Sequence, residues 1–307
     1  MDTIHIKAGK EEKKTNYQFL LLMSKISHTD LIINPDGSVY HLNLKPEHLS
    51  NQIITVGDPT RVHRISSFFD KVEFEMNRRE FITHIGYYKD KRITVMSTGM
   101  GTDNVEIIMT ELDALANIDF KTMTAKKEIR SLNIIRLGTS GSVQGQIDVG
   151  DFLISEYAVG LDTLMSFYQL EMGEYEDEVT RELQKEIGFP FQPYCCKGSE
   201  ILMKKFGEGM VKGNTVTAPG FYAPQGRKLR LPIKFPHLVD KLSRFHYKDF
   251  WLTNFEMETA GYYSMAKLLG HEMVSVNAIL ANRISDKFAK NPNKIIDEMI
   301  KTVLDRI

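Results

Sequence analysis

Runs of apolar, β-branched residues recur along the chain, separated by segments with helical spacing. Several of these runs are near-continuous rather than alternating, which is typical of strands covered on both faces of a sheet. The predicted strands are Ile53–Val56, Ile93–Met96, Asn133–Leu137, Phe152–Ile154 and Val274–Leu280. Because such strands alternate with helical segments, the pattern predicts a protein of the α/β class.

The helical segments carry apolar residues three and four positions apart. Gly188 and Gly270 directly follow two of them, as expected of the glycine that closes a helix. The C-terminal segment has its apolar residues on one face, so we expect it to pack against the body of the protein. The predicted helices are Val105–Leu115, Glu176–Ile187, Thr259–Leu269 and residues 294–307.

Residues 36–307 contain no repeat, no linker rich in proline or serine and no break in composition. We therefore expect them to form a single domain. Residues 1–35 are expected to be an N-terminal extension, with a charged tail and a short helix. Its apolar run, Phe19–Met23, follows the charged residues Lys10–Lys14 and is too short for the core of a signal peptide or for a membrane span.

The charge balance and the cysteines narrow the class of protein. The chain has 39 basic and 40 acidic residues, which argues against a dedicated nucleic-acid or anionic-membrane binder and leaves room for a local anion site. Its two cysteines, Cys195 and Cys196, are adjacent, so no disulfide framework and no metal site is expected. We expect a reduced, cytoplasmic protein.

The turn after the first predicted strand has the features of an anion site. Gly57 lets the backbone approach a ligand, Pro59 can open a helix, and Arg61 lies one turn into that helix. Exposed N–H groups at such a helix start bind anions. A simple strand-to-helix turn with a surface arginine is the alternative.

Arg136 lies inside an apolar strand, where an unpaired charge costs roughly several kcal/mol. It must therefore meet an anion or a carboxylate. A turn over Gly138–Gly141 is predicted to follow, with hydroxyls from Thr139 and Ser140 that suit phosphate oxygens. A structural salt bridge to a buried acid is the alternative.

Two further segments allow a structural and a functional interpretation. In the glycine loop that starts at Ser97, Asn104 stands where a dinucleotide fingerprint needs glycine, so a turn for close helix–strand packing is favoured. In Glu256-Met257-Glu258, the carboxylate of Glu258 can accept two hydrogen bonds from a ribose diol. Acidic residues that complement a helix dipole are the alternative.

The segment from Phe221 to Arg227 combines an aromatic ring, an amide and a guanidinium on one short loop. Gln225 can donate and accept at once, and Arg227 offers a fork of donors with a permanent charge. A flat heterocycle with adjacent carbonyl and imide groups, such as uracil, satisfies all three. A solvated loop rich in proline and glycine is the alternative.

In their order along residues 38–305, these motifs resemble the nucleoside phosphorylase-I family, and within it the uridine phosphorylases. The matching strings are G-D-P-x-R-V, S-T-G-x-G, R-x-G-T-x-G, F-Y-x-x-Q-x-R and E-M-E, with shorter matches at Tyr40–Leu44 and Arg79–Phe81. The resemblance implies an α/β fold in which one domain forms a mixed sheet with a distorted barrel, wrapped by helices. It also implies a homodimer or a hexamer built as a trimer of dimers.

The resemblance also implies a role for each matching residue. Arg227, Gln225, Arg136 and Glu258 would be the catalytic residues. The phosphate ligands would be Gly57, Arg61, Arg136 and Thr139, with Arg79 from the neighbouring subunit. The ribose ligands would be Met257 and Glu258, with His41 from the neighbouring subunit. The base ligands would be Phe221, Gln225, Arg227 and Arg283.

The implied reaction is reversible phosphorolysis of uridine to uracil and ribose 1-phosphate. Phosphate is then a co-substrate, and no cofactor or metal is expected.

Two departures from the family pattern leave alternatives open. Asp103-Asn104 replaces a Pro-Ser pair that borders the dimer contact and, in some members, a monovalent-cation site. Asp286 follows a serine as in purine-specific relatives, so a purine nucleoside phosphorylase or nucleosidase is a rival, as is a non-catalytic nucleoside-binding protein.

Overall fold

A computed structural model of the protein describes residues 24–307. The charged tail and the apolar run Phe19–Met23 predicted for the extension lie outside the described residues, and the predicted boundary at residue 35 stays a prediction. The described residues form two compact units, one that contains residues 24–49 with Thr110–Arg130 and the other Ser50–Met109 with Ser131–Ile307.

The strands and helices are numbered in chain order. The strands are β1 (Gln52–Val56), β2 (Lys71–Arg78), β3 (Phe81–Tyr88), β4 (Lys91–Ser97), β5 (Ile118–Asp119), β6 (Thr124–Ala125), β7 (Asn133–Ser142), β8 (Phe152–Gly160), β9 (Tyr194–Lys197), β10 (Val211–Thr217), β11 (His246–Tyr247), β12 (Phe250–Trp251), β13 (Asn254–Glu256), β14 (Glu272–Asn282) and β15 (Lys287–Phe288). The helices are α1 (Pro59–Ser66), α2 (Thr102–Asn117), α3 (Glu174–Ile187), α4 (Glu200–Phe206), α5 (Leu238–Arg244), α6 (Thr259–Leu269) and α7 (Pro292–Leu304).

The described residues of the smaller unit contain the C-terminal half of α2, two short strands and a β-bridge. The strands β5 and β6 pair as an antiparallel hairpin, and Ile33 bridges to Val39. Leu31 and Met123 are buried in a small apolar cluster of this unit.

The larger unit contains an eleven-stranded mixed sheet in the order β15-β14-β8-β10-β13-β7-β1-β4-β3-β2, with β9 paired to β8. Because β14 also pairs with β7, five strands close into a ring: β14, β8, β10, β13 and β7. Register shifts at Gly213/Asn214 and Ile279/Ala281 interrupt the ladders of this ring, as bulges do in strongly curved sheets. The predicted mixed sheet with a distorted barrel is confirmed.

The strands that lead to the candidate site are parallel and buried. In β1, Ile54 lies opposite Val95 of β4 on one side and Ile135 of β7 on the other, and all three side chains are fully buried. The helix α7 packs on this layer through the apolar face predicted from its spacing, with Met299 and Val303 fully buried. Burial of this kind contributes about 25 cal/mol per Å² of apolar surface.

The predicted turn over Gly138–Gly141 is wrong, because β7 continues through these residues to Ser142. The strand β14 pairs with them in parallel, placing Asn277 opposite Gly138 and Ala278 opposite Thr139. Glycine favours turns in isolation, but the hydrogen bonds to neighbouring strands keep this backbone extended. The other strands and helices predicted within residues 36–307 are present, with Gly270 at φ 77° closing α6.

Candidate active site

The loops after β1 and β4 meet at the same edge of the sheet. Thr98, just after β4, donates its N–H to the carbonyl of Val56 at 2.8 Å. A Cβ added to Gly57 would lie 3.2 Å from the carbonyl oxygen of Gly99. The glycine at position 57 therefore lets the two loops approach each other closely.

Arg61 is held at the start of α1, behind the loop that contains Gly57. The Asp58 side chain caps the helix by accepting from the N–H of Thr60 at 2.9 Å, and Pro59 opens it as predicted. Arg61 is only 8% exposed and donates to the carbonyl of Leu137 at 2.9 Å, so it is not a surface arginine. Burial, with the nearby charge of Arg136 acting in the same direction, lowers the pKa of Arg61 to about 10.

Arg136 is 5% exposed and its charge is met by carboxylates. Its Nη2 lies 3.1 Å from Glu256 and also pairs with Glu258, while its Nη1 donates to Asn277 at 3.0 Å. A Cβ at Gly138 would lie 1.8 Å from Nη1, so the arginine side chain folds back over that glycine. Burial alone would lower the pKa of Arg136, but the two glutamates outweigh it and hold the pKa above its ordinary value.

The two glutamates next to Arg136 have different partners. Glu256 ends β13 and accepts from the hydroxyl of Thr217 at 2.6 Å and from the N–H groups of Thr259 (2.9 Å) and Glu258 (3.0 Å), so it caps the start of α6. The structural interpretation of this motif therefore holds for Glu256, which complements a helix start, while the ribose role of Glu258 stays a prediction.

Glu258 is buried between the glycine loop and Arg136. It accepts from the N–H of Gly101 at 2.8 Å through Oε1, and from Arg136 through Oε2. Burial and the neighbouring Glu256 raise the pKa of Glu258, although Arg136 acts against this shift. Met257, between the two glutamates, is half-buried, as is Thr139 on β7.

The residues predicted to bind a base lie together. Arg227 donates to Gln225 Oε1 at 2.6 Å and to the carbonyl of Phe221 at 2.5 Å, and its Cζ lies 3.6 Å from the centre of the Phe221 ring. Arg283 donates to the main-chain carbonyl of Gln225 at 3.0 Å. Burial, with the charge of Arg283 acting in the same direction, lowers the pKa of Arg227 to about 10.

Three candidate residues lie on turns or in the smaller unit. Arg79 is exposed at the turn between β2 and β3 with φ 52°, and Asp286 is exposed at the turn between β14 and β15, also with φ 52°. The Nδ1 atom of His41 lies 2.7 Å from Glu111, whose carboxylate also accepts from the N–H of His41. The roles expected for Arg79 and His41 in a neighbouring subunit stay predictions.

The sequence analysis missed the polar residues that surround Arg136 on β14. Asn277 and Ser275 are fully buried, and Asn277 donates to Ser275 Oγ at 3.2 Å. The signal was available, because two polar residues alternate with apolar ones inside a predicted strand. The signal is weak because the apolar residues around them make the run near-continuous.

Within residues 24–307, no group of three or more His, Cys, Asp or Glu side chains is arranged to bind a metal ion. No helix of the same residues is both long and apolar enough to cross a membrane.

Known proteins are similar to this chain in sequence and in fold. The phosphorylase superfamily matches residues 52–305. A uridine phosphorylase from Thermococcus kodakarensis is 32% identical over 265 residues, covering 84% of this chain and 83% of the relative. A DeoD-type purine nucleoside phosphorylase from Caldanaerobacter subterraneus subsp. tengcongensis is 26% identical over 275 residues, covering 87% and 96%. The crystal structure of a Trypanosoma brucei nucleoside phosphorylase, which shows uridine phosphorylase activity, matches with a TM-score of 0.85 at 28% identity, covering 90% and 99%.

The chain belongs to the phosphorylase superfamily. It is an enzyme of the nucleoside phosphorylase class, and so a pentosyltransferase. The resemblance stated from its motifs is confirmed.

Proposed function

We propose that this enzyme catalyses the reversible phosphorolysis of uridine to uracil and ribose 1-phosphate. The observation that supports this most is the group formed by Phe221, Gln225, Arg227 and Arg283. It offers an aromatic face together with an amide and two guanidinium groups. A pyrimidine with two carbonyls and one imide N–H matches such a set of donors and acceptors.

The leaving group explains why a cation belongs beside the base. When the bond between C1′ and N1 breaks, its electron pair leaves with uracil and spreads onto the two carbonyl oxygens. Arg227 and Gln225 stabilise this anion as donors that are already oriented, which lowers the barrier without reorganising solvent. A proton from water then gives neutral uracil.

Phosphate completes the reaction on the opposite side of the sugar. We assign it to the loop at Gly57 and to Arg61, Arg136 and Thr139, where it stabilises positive charge on the ribose and then captures C1′. Phosphate is thus consumed as a co-substrate, and positioning contributes much of the rate. No cofactor is part of the proposed reaction.

The ribose is assigned to Met257 and Glu258. Glu258 already accepts one hydrogen bond through each of its oxygens, and each oxygen has a further lone pair for a ribose hydroxyl. We assign His41 of a neighbouring subunit to the 5′-hydroxyl and Arg79 of that subunit to phosphate, which makes the active unit a homodimer or a hexamer built as a trimer of dimers.

A purine nucleoside is the second candidate substrate. Asp286 is near enough to Arg283 to raise its pKa, against the larger lowering effect of burial, and an acid beside the base pocket suits a purine ring nitrogen. Because Asp286 is exposed at a turn while Gln225 is 4% exposed in the base loop, we favour the pyrimidine.

A nucleoside panel tests the proposed substrate. Uridine, thymidine, 2′-deoxyuridine, inosine and adenosine are each assayed for release of the base at saturating phosphate. We expect kcat/KM to be highest for uridine. Faster cleavage of inosine or adenosine would assign base recognition to Asp286 instead.

A further inference from the structure

The strand β14 carries two polar side chains in its fully buried part, Ser275 and Asn277. The Asn277 amide nitrogen donates to Ser275 Oγ at 3.2 Å, and Ser275 Oγ also lies 2.9 Å from the hydroxyl of Thr259. The Asn277 oxygen accepts from Nη1 of Arg136 at 3.0 Å. Since its nitrogen is engaged by Ser275, the asparagine presents its oxygen to the arginine.

The guanidinium of Arg136 is fixed from several directions. Asn277 holds Nη1, Glu256 and Glu258 hold Nη2, and the backbone of Gly138 lies against the group so closely that no Cβ fits there. Each contact is made by a different element: Asn277 lies on β14, Glu256 at the end of β13, Glu258 at the start of α6, and Gly138 on β7 itself. A planar fork held in this way keeps one orientation.

The charges in this region cancel formally. Arg61 and Arg136 contribute two positive charges, and Glu256 and Glu258 contribute two negative ones, all in side chains that are less than a tenth exposed. Phosphate therefore gains little from net charge here and depends on how the arginine donors are aimed. A neutral acceptor at position 277 holds Arg136 without adding a third negative charge beside the phosphate.

We propose that Asn277 is a positioning residue for the phosphate site: its neutral side-chain oxygen fixes Arg136 and so sets the affinity for phosphate, while leaving the affinity for the nucleoside unchanged. This inference rests on the proposed role of Arg136 as a phosphate ligand. It concerns a residue that touches neither substrate.

The test compares Asn277→Asp with Asn277→Ala. Asp has nearly the shape of Asn, but an ionised carboxylate next to Arg136 competes with phosphate for the same charge. We expect the KM for phosphate to rise about tenfold in Asn277→Ala, the size of one hydrogen bond to a charged group. In Asn277→Asp it should rise about a hundredfold, because a charge is added a few ångströms from the anion. The KM for uridine should stay within about twofold in both.

A purely structural role for Asn277 would reverse the order in which the two variants are damaged. Alanine leaves a cavity in a buried position, whereas aspartate keeps the volume, so the alanine variant would be the more damaged in both KM values and in melting temperature. That order would overturn the proposal, and so would a KM for phosphate that neither variant changes. Asn214→Asp is the control, because Asn214 lies in the same barrel on β10 and donates to the carbonyl of Trp251. It should lower the melting temperature without a selective change in the KM for phosphate.

The wild-type enzyme separates the two possible failures. If it cleaves uridine equally well without phosphate, the proposed function is wrong and this inference falls with it. If its reaction requires phosphate but the Asp variant binds phosphate as well as the wild type does, only the role of Asn277 is wrong. Isothermal titration calorimetry of the wild type and each variant with inorganic phosphate gives the same comparison without turnover.

Discussion

The guanidinium of Arg227 lies over the ring of Phe221, with its Cζ 3.6 Å from the ring centre. The carbonyl oxygen of Phe221 and Oε1 of Gln225 accept from the same Nη1 atom. This arrangement combines a cation–π contact with two hydrogen bonds, so the charge is held at the aromatic face. In the proposed reaction, a base bound at Phe221 would meet an oriented cation.

Replacing Arg227 with Ala should reduce kcat by roughly 10²–10³, the size expected when one charge-stabilising donor is removed. The reason is that its charge matters most as the base leaves with the electron pair. Steady-state kinetics with uridine at saturating phosphate measure this. Arg230→Ala is the matched control, since it removes an exposed arginine of the same loop and should leave kcat unchanged. A raised KM with normal kcat would mean that Arg227 binds the ground and transition states equally.

Glu258→Gln should make the enzyme less efficient with uridine and make it bind phosphate more tightly. Losing the carboxylate weakens the acceptor for the ribose diol, so kcat/KM for uridine should fall by roughly 10²-fold. Removing a negative charge next to Arg136 should at the same time lower the KM for phosphate. The fall should be smaller with 2′-deoxyuridine, which lacks one of the two hydroxyls. Parallel losses for both substrates would contradict the assignment of Glu258 to the ribose.

Gly138→Ala should weaken phosphate binding because the new methyl group takes the place of Nη1 of Arg136. We expect the KM for phosphate to rise about tenfold or more and the stability to fall by about 1–3 kcal/mol, as in other overpacked sites. Gly141→Ala on the same strand is the control, since its added Cβ meets nothing closer than 3.7 Å. Equal effects of the two substitutions on phosphate would show that Arg136 is not the cause.

The sequence predicts most strands and helices of this fold, for reasons visible in particular residues. The buried strand around Ile54 and the helix closed by Gly270 follow from apolar spacing and from backbone preference, which are local. The extension of β7 through Gly138 could not be predicted locally, because pairing with β14 decides it. The partner of Arg136 was likewise open, since a buried charge only requires some opposite charge, and the fold decides which.

Sites shared between subunits should be detectable by complementation. Arg79 is exposed at a hairpin turn, where a neighbouring subunit can receive it. Arg79→Ala and Arg136→Ala should each be nearly inactive as homo-oligomers. Unfolding and refolding the two together should restore part of the activity, since one site of a mixed pair keeps both arginines. Mixing without subunit exchange should restore nothing. Verified mixed oligomers that stay inactive would contradict shared sites.

The central claim is that phosphate, not water, captures the sugar. The most direct measurement follows the wild-type reaction of uridine with inorganic phosphate by ³¹P NMR, alongside release of uracil. The account predicts ribose 1-phosphate in equal amount to uracil, loss of turnover when phosphate is withdrawn, and uridine formed again when the two products are incubated together. Uracil released with free ribose, at a rate that does not depend on phosphate, would contradict it.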